Sequence, residues 1–192
     1  SFYFDFNDDL TEITNVKELF KKQNILDLHR FDILKNIERF AFKENQIKHL
    51  KLPNNIETLS FASFAYNKIQ NLDLSNCIKL KNIGENVFYE NKIKHLKLPK
   101  NVEIIYNHVF ENNQIESLDL SQYIHLKYIG DYSFGSNQIK QLKLPNNIET
   151  LSFASFAYNK IQNLDLSNCI NLNIIMGWAF GKNQIKQLKL PD

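Results

Sequence analysis

Few of the residues that most site chemistries depend on are present in this chain. Its 192 residues include only 5 Gly, 4 Pro, 2 Cys, 1 Met and 1 Trp. None of the glycines falls in a GxGxxG or GxxxxGK[ST] pattern, which excludes the familiar phosphate-cradling loops. Arginine occurs only at Arg30 and Arg39. Basic and acidic side chains number 23 and 21, a net charge of +2, so no nucleic-acid or membrane patch is implied unless the charges segregate in space. No apolar run approaches the roughly 18 residues of a membrane span. The opening SFYFDFNDDL lacks the basic start and apolar stretch of a secretory leader, and none of the 26 Asn residues sits in an N-x-Ser/Thr sequon. The lack of sequons leans slightly away from a eukaryotic secretory route. Because Ser1 is not Met, the chain reads as a segment of a longer one.

Asn, Phe, Leu and Ile fill the space those residues leave. Fifteen Phe among many Leu and Ile describe a folded chain rather than a disordered one. Residues 50–78 and 142–170 carry the same 29 letters, LKLPNNIETLSFASFAYNKIQNLDLSNCI, displaced by 92. A finer period lies inside that displacement. An I-x-x-L-x-L hexad begins at Ile47, Ile69, Ile93, Ile115, Ile139, Ile161 and Ile185, with alternating spacings of 22 and 24. Short coils read I-K-x-L-K-L-P-x-N-[IV]-E, and long coils read I-x-x-L-D-L-S followed by I-x-L-x-x-I. Each coil ends in Phe-x-x-Asn. This gives a Phe column (Phe42, Phe64, Phe88, Phe110, Phe134, Phe156, Phe180) and an Asn column (Asn45, Asn67, Asn91, Asn113, Asn137, Asn159, Asn183).

L-x-L alternation is a strand signature, because both leucines face one way and the residue between them faces the other. Recurring in one direction, such strands form a parallel ladder rising about 4.8 Å per coil. No coil can bury its apolar side alone, so the core exists only between neighbours. The fold expected is a leucine-rich-repeat solenoid of alternating 22- and 24-residue coils. It has a parallel β-ladder on the concave face and short irregular, 3₁₀ or helical return segments on the convex face. The Phe column should form a buried spine, and the Asn amides should satisfy backbone groups of adjacent turns. Residues 23–192 form the array, opening on a long coil, with no C-terminal cap in this chain. Residues 1–22 read as a degenerate capping coil with Phe4 and Phe6 in the leucine positions, bringing the total to eight coils and the start of a ninth. Within it, Phe2, Phe4 and Phe6 alternate as a strand. Asn7, Asp8 and Asp9 then favour a helix start, with Leu10, Ile13, Val16, Leu19 and Phe20 at helical spacing.

The motif L-x-L-P-x-x-[IV]-x-x-I, then a small residue, Phe and Asn, resembles the BspA-like, or Treponema-type, leucine-rich repeat over residues 23–192. Two departures are visible: every second coil carries Ser for Pro, and Asn stands where many members carry Cys. The resemblance implies a non-catalytic protein-interaction scaffold, with a structural, surface or virion component, or a matrix- or carbohydrate-binding adhesin, as alternatives. It also points to bacterial surface proteins, amoebal parasites or giant DNA viruses of amoebae. The Asn-, Lys- and Ile-heavy vocabulary favours the last.

The register places Asp27, Lys51, Asp73, Lys97, Asp119, Lys143, Asp165 and Lys189 in one outward-facing column of strictly alternating sign. This column reads either as a docking stripe or as a self-neutralising device that holds register. Asp5 is its expected N-terminal extension. His49 and His95 lie two coils apart, roughly 10 Å, too far to share a metal ion with ligands about 2 Å away. Cys77 and Cys169 lie four coils apart, about 19 Å, which precludes a disulfide within one stack. A chain without disulfides fits a reducing compartment or a virion better than a secreted location. Glu57, Glu103 and Glu149 repeat as consensus letters about 10 Å apart rather than as a catalytic pair. No cofactor or catalytic residue is expected. Aromatics gather on the return limb instead: Phe61, Tyr66, Tyr89, Tyr106, Tyr132, Phe153, Tyr158 and Trp178. Interface hot spots favour such residues, whereas the strand face from Ile47 onward has neither aromatics nor Arg. Partners are therefore an unidentified protein on the convex face, or a second copy at the uncapped C-terminal coil.

Overall fold

A computed structural model of the chain describes residues 4–16 and 23–191. The L-x-L segments form strands that point both leucines inward and the intervening residue outward, as the alternation demands. They are β3 (Ile25–Asp27), β5 (His49–Lys51), β7 (Asn71–Asp73), β9 (His95–Lys97), β11 (Ser117–Asp119), β13 (Gln141–Lys143), β15 (Asn163–Asp165) and β17 (Gln187–Lys189). Those that pair do so in parallel. The described residues make seven full turns, each contributing one Phe and one Asn to the columns. Between the strands run turns and two-residue strands, with no helix among the described residues.

Those two-residue strands stack into a second parallel ladder that the sequence pattern had not disclosed. Its members are β4 (Asn36–Ile37), β6 (Thr58–Leu59), β8 (Asn82–Ile83), β10 (Ile104–Ile105), β12 (Tyr128–Ile129), β14 (Thr150–Leu151) and β16 (Ile174–Ile175). It is continuous from β8 to β16.

The N-terminal segment departs from expectation. β1 (Phe4–Phe6) pairs antiparallel with β2 (Glu12–Val16), and β2 joins the second ladder in parallel with β4, Ile13 opposite Ile37. Phe4 and Phe6 therefore do not take the leucine positions of a short coil, and Asp5 does not extend the charged column. The expected helix is a strand over Glu12–Val16. Leu10 falls in the turn between the two strands, and the pairing of β2 with β4 decides the outcome. Phe2, Leu19 and Phe20 lie outside the described residues. The Phe4 ring sits edge-on against Phe42, 5.6 Å between centroids, at the head of the Phe spine.

The spine carries the core. Phe42, Phe64, Phe88, Phe110, Phe134 and Phe156 are fully buried. Successive rings lie within 20° of parallel, with centroids 5.2 to 5.7 Å apart. That separation exceeds the coil rise of about 4.8 Å, so the rings are offset, as their quadrupoles prefer. Around each Phe the backbone alternates in hand. Positive φ recurs in pairs four residues apart, as at Ala62 and Tyr66, Asn86 and Glu90, and Tyr132 and Ser136. The alternation turns every second N–H toward the next coil. The amides of Ala62, Phe64 and Tyr66 reach Glu85, Val87 and Tyr89 carbonyls at 2.9 to 3.0 Å. The coils are thus bound to each other here without a regular strand.

The Asn column closes the turns. Ile47 N–H donates to Asn67 Oδ1 at 3.1 Å, while Asn67 Nδ2 donates to the carbonyls of Phe42 (2.7 Å) and Phe64 (3.0 Å). The same set recurs from Asn91 to Asn183. An amide is required because one side chain must both accept and donate.

Candidate functional site

The charged column projects from the strand ladder as the register requires, and its ion pairing has a direction. Lys51 reaches Asp27 (3.7 Å), Lys97 reaches Asp73 (3.1 Å), Lys143 reaches Asp119 (3.2 Å) and Lys189 reaches Asp165 (3.1 Å). Every lysine pairs with the aspartate of the preceding long coil, and none with that of the following one. Each aspartate is fixed by its own loop. Ser75, Ser121 and Ser167 donate both N–H and hydroxyl to Asp73, Asp119 and Asp165, and His29 bonds to Asp27. Bonds from Ser167 and Lys189 hold the Asp165 carboxyl down at about 2. Asp119 is lowered by the matching bonds from Ser121 and Lys143, and Asp27 chiefly by His29. For Asp73, burial pushes upward, but the bonds from Ser75 and Lys97 outweigh it.

The strand ladder follows the same pairing. β3–β5, β7–β9, β11–β13 and β15–β17 each match over three residues. By contrast, β5 meets β7 only at His49–Asn71, and β9–β11 and β13–β15 are unpaired. The strand face is therefore a series of two-coil units that satisfy their own charge. Glu57, Glu103 and Glu149 are likewise engaged, with Lys35 and Lys79, Lys81, and Lys127 respectively. His49 and His95 are exposed on the strand face. No cluster of three or more His, Cys, Asp or Glu side chains that could hold a metal exists among the described residues.

The return-limb aromatics divide by environment. Phe40, Tyr66, Tyr106, Phe153, Tyr158 and Trp178 are exposed, the last two to 50% and 54%, while Phe61 and Tyr132 are half-buried. Two groups form. In one, Phe40 meets Phe61 edge-on, Arg39 lies over both rings, and Lys43 lies between the faces of Phe40 and Tyr66. Tyr66 in turn meets Tyr89, whose hydroxyl accepts from Asn112. In the other, His108 stacks on Tyr132, which meets Phe153 edge-on. Sequence reasoning missed Arg39, Phe40, Lys43 and His108. Phe40 and His108 hold the same coil position as Tyr132 and Trp178, two residues before the spine Phe, so the frame itself contained that signal.

Both cysteines are buried and unpaired. Burial raises the Cys77 thiol to about 11 and raises Cys169 as well, so neither is poised as a nucleophile. Cys77 Sγ donates to the Pro53 carbonyl at 3.8 Å. In the intervening long coil the same position is Tyr123, whose hydroxyl accepts the Leu98 N–H at 3.0 Å.

No curated protein shows significant similarity to the chain. A family model for the BspA type leucine-rich repeat region matches it over residues 11–125 and 114–192, in six copies. Those matches run through the Phe spine, the Asn column and both ladders, and place the chain in the BspA-type leucine-rich-repeat family.

Proposed function

We propose that the chain is a non-catalytic protein-interaction scaffold that contacts its partner through the turn face rather than the strand face. The observation that supports this is the contrast between the two. On the strand face each lysine is held by an aspartate of its own two-coil unit, and aromatic anchors are absent from Ile47 onward. On the turn face Phe40, Tyr66, Phe153 and Tyr158 are exposed, with Arg39 and Lys43 over the first two. Aromatic and Arg side chains are the usual anchors of protein interfaces. The Asn-, Lys- and Ile-rich vocabulary supports a source with an AT-rich genome, in our reading a giant virus of amoebae.

Site-specific photocrosslinking tests the choice of face. A benzophenone amino acid is placed singly at Tyr66, Phe153 or Tyr158, and at Ser117, Gln141 or Asn163 on the strand face, and the chain is irradiated in an extract of its source. One adduct size shared by the turn-face positions and missing from the strand-face positions is expected. The same adduct arising mainly from the strand-face positions would overturn the reading.

A further inference from the structure

Two clefts of closely similar design open where a short coil meets the next long coil, differing in that His29 lines the first where Ser121 lines the second. One is lined by Leu50, Lys51, Leu52, Asn54, Asp73 and Cys77, and the other by Leu142, Lys143, Leu144, Asn146, Asp165 and Cys169. Each residue of the second stands 92 positions after its counterpart in the first. Their volumes are about 370 and 250 Å³. That is at or below the lower end of pockets for drug-sized molecules, and suits one ring. Both lie at junctions where the strand ladder is barely paired or unpaired.

The junction between them shows what such a cleft accepts. There Tyr123 replaces the cysteine, its ring is buried, and its hydroxyl takes the Leu98 N–H. Leu98 is 1% exposed, whereas Leu52 and Leu144 are 8% and 6% exposed. The amides of Leu52 and Leu144 have no protein acceptor among the described residues. Each cleft thus offers the donor that a phenol oxygen satisfies one junction away. Leu52 and Leu144 line the clefts, so an incoming acceptor can take the place of solvent at these amides.

We infer that the clefts beside Cys77 and Cys169 are binding sites for tyrosine side chains of a partner polypeptide, each hydroxyl accepting the Leu52 or Leu144 N–H as Tyr123 accepts that of Leu98. Four coils separate the clefts, about 19 Å, which an extended peptide covers in about six residues. Six is even, so two tyrosines at that spacing face the same way. The partner is an extended segment of the form Tyr-x₅-Tyr running along the stack axis. The site is independent of the turn face.

The test is an amide-resolved NMR titration of the ¹⁵N-labelled chain. A peptide of the form Tyr-x₅-Tyr should shift Leu52 and Leu144 together and bind roughly 10²-fold more tightly than its Tyr-x₅-Ala counterpart, because the second contact is intramolecular. The Phe-x₅-Phe peptide should lose most of that affinity. Cys77→Tyr should fill the first cleft from within and abolish the Leu52 response while leaving Leu144 responsive. Cys77→Ala should respond like the parent, which separates cleft binding from thiol chemistry. Equal binding of the Phe and Tyr peptides would overturn the proposal. So would a Leu52 response that survives in a folded Cys77→Tyr variant, or a second tyrosine that adds nothing.

Discussion

Asn113 Oδ1 accepts the Ile93 N–H at 2.9 Å, while its Nδ2 donates to the Phe88 and Phe110 carbonyls at 3.0 and 3.1 Å. One side chain therefore satisfies groups from two consecutive coils, and it is buried. Asn113→Ala strands at least one donor and one acceptor, at about 1–3 kcal/mol each. Asn113→Asp keeps the acceptor but turns a carboxylate toward carbonyl oxygens, so it should destabilise more than the alanine. Urea unfolding midpoints check the order. An aspartate variant as stable as the parent would show that the amide donors contribute little.

Phe110 lies between Phe88 and Phe134, at 5.7 and 5.2 Å between centroids, and is fully buried. Phe110→Ala should cost about 3–5 kcal/mol. Phe110→Leu, which keeps most of the volume, should cost less. A loss below 1 kcal/mol for the alanine would contradict the spine.

The directional pairing makes a prediction that the alternation of charges alone does not. A double-mutant cycle on Asp119 and Lys143 should give a coupling of about 0.2–1 kcal/mol that shrinks at high salt. The same cycle on Asp119 and Lys97 should give nearly none, because Lys97 is held by Asp73. Asp119→Lys removes the first pairing and places a third positive charge in the row, so it too should destabilise modestly and recover in salt. Equal couplings would return the column to a uniform ladder.

Acid dependence follows from the same carboxylates. Their folded pKa values lie below the unfolded value of about 3.9, so their stabilisation is present above that pH and is lost as pH falls through the folded values, about 2 for Asp165. A ¹³C titration of the Asp165 carboxyl should find its midpoint near 2, and Ser167→Ala should raise it, since Ser167 provides the largest lowering contact. An unshifted midpoint in that variant would leave Lys189 as the main cause.

Glu90 adopts a φ of 49° on an exposed position, a conformation that strains residues bearing a Cβ. Glu90→Gly should leave stability unchanged or raise it by up to about 1 kcal/mol, whereas glycine at an ordinary position lowers it. Thermal unfolding measures this directly.

Repetition made much of this fold legible in the sequence. L-x-L recurs eight times, and Phe and Asn seven times, at regular offsets, and the structure turns each column into a ladder. Four features stayed hidden, for separate reasons. Strands as short as Thr58–Leu59 contain one step of alternation, too little to show a period. The hairpin of β1 and β2 depends on pairing with Asn36–Ile37, a contact that local spacing does not encode. The clefts arise because Cys77 and Cys169 are smaller than Tyr123 at an equivalent position, and a periodic pattern records position rather than volume. The direction of the Lys–Asp pairs was invisible too, since it depends on the serine and His29 bonds that orient each aspartate.

The two-coil bonding of the strand face also constrains how such an array can lengthen or shrink. Gain or loss of one coil would set lysine beside lysine, or aspartate beside aspartate, and would leave one strand without its three-residue partner. Gain or loss of an even number keeps every unit whole. The 92-residue displacement between the identical segments spans four coils. Heredity, on this view, copies the array by parity, and odd-numbered length variants should be rarer among its descendants than even ones.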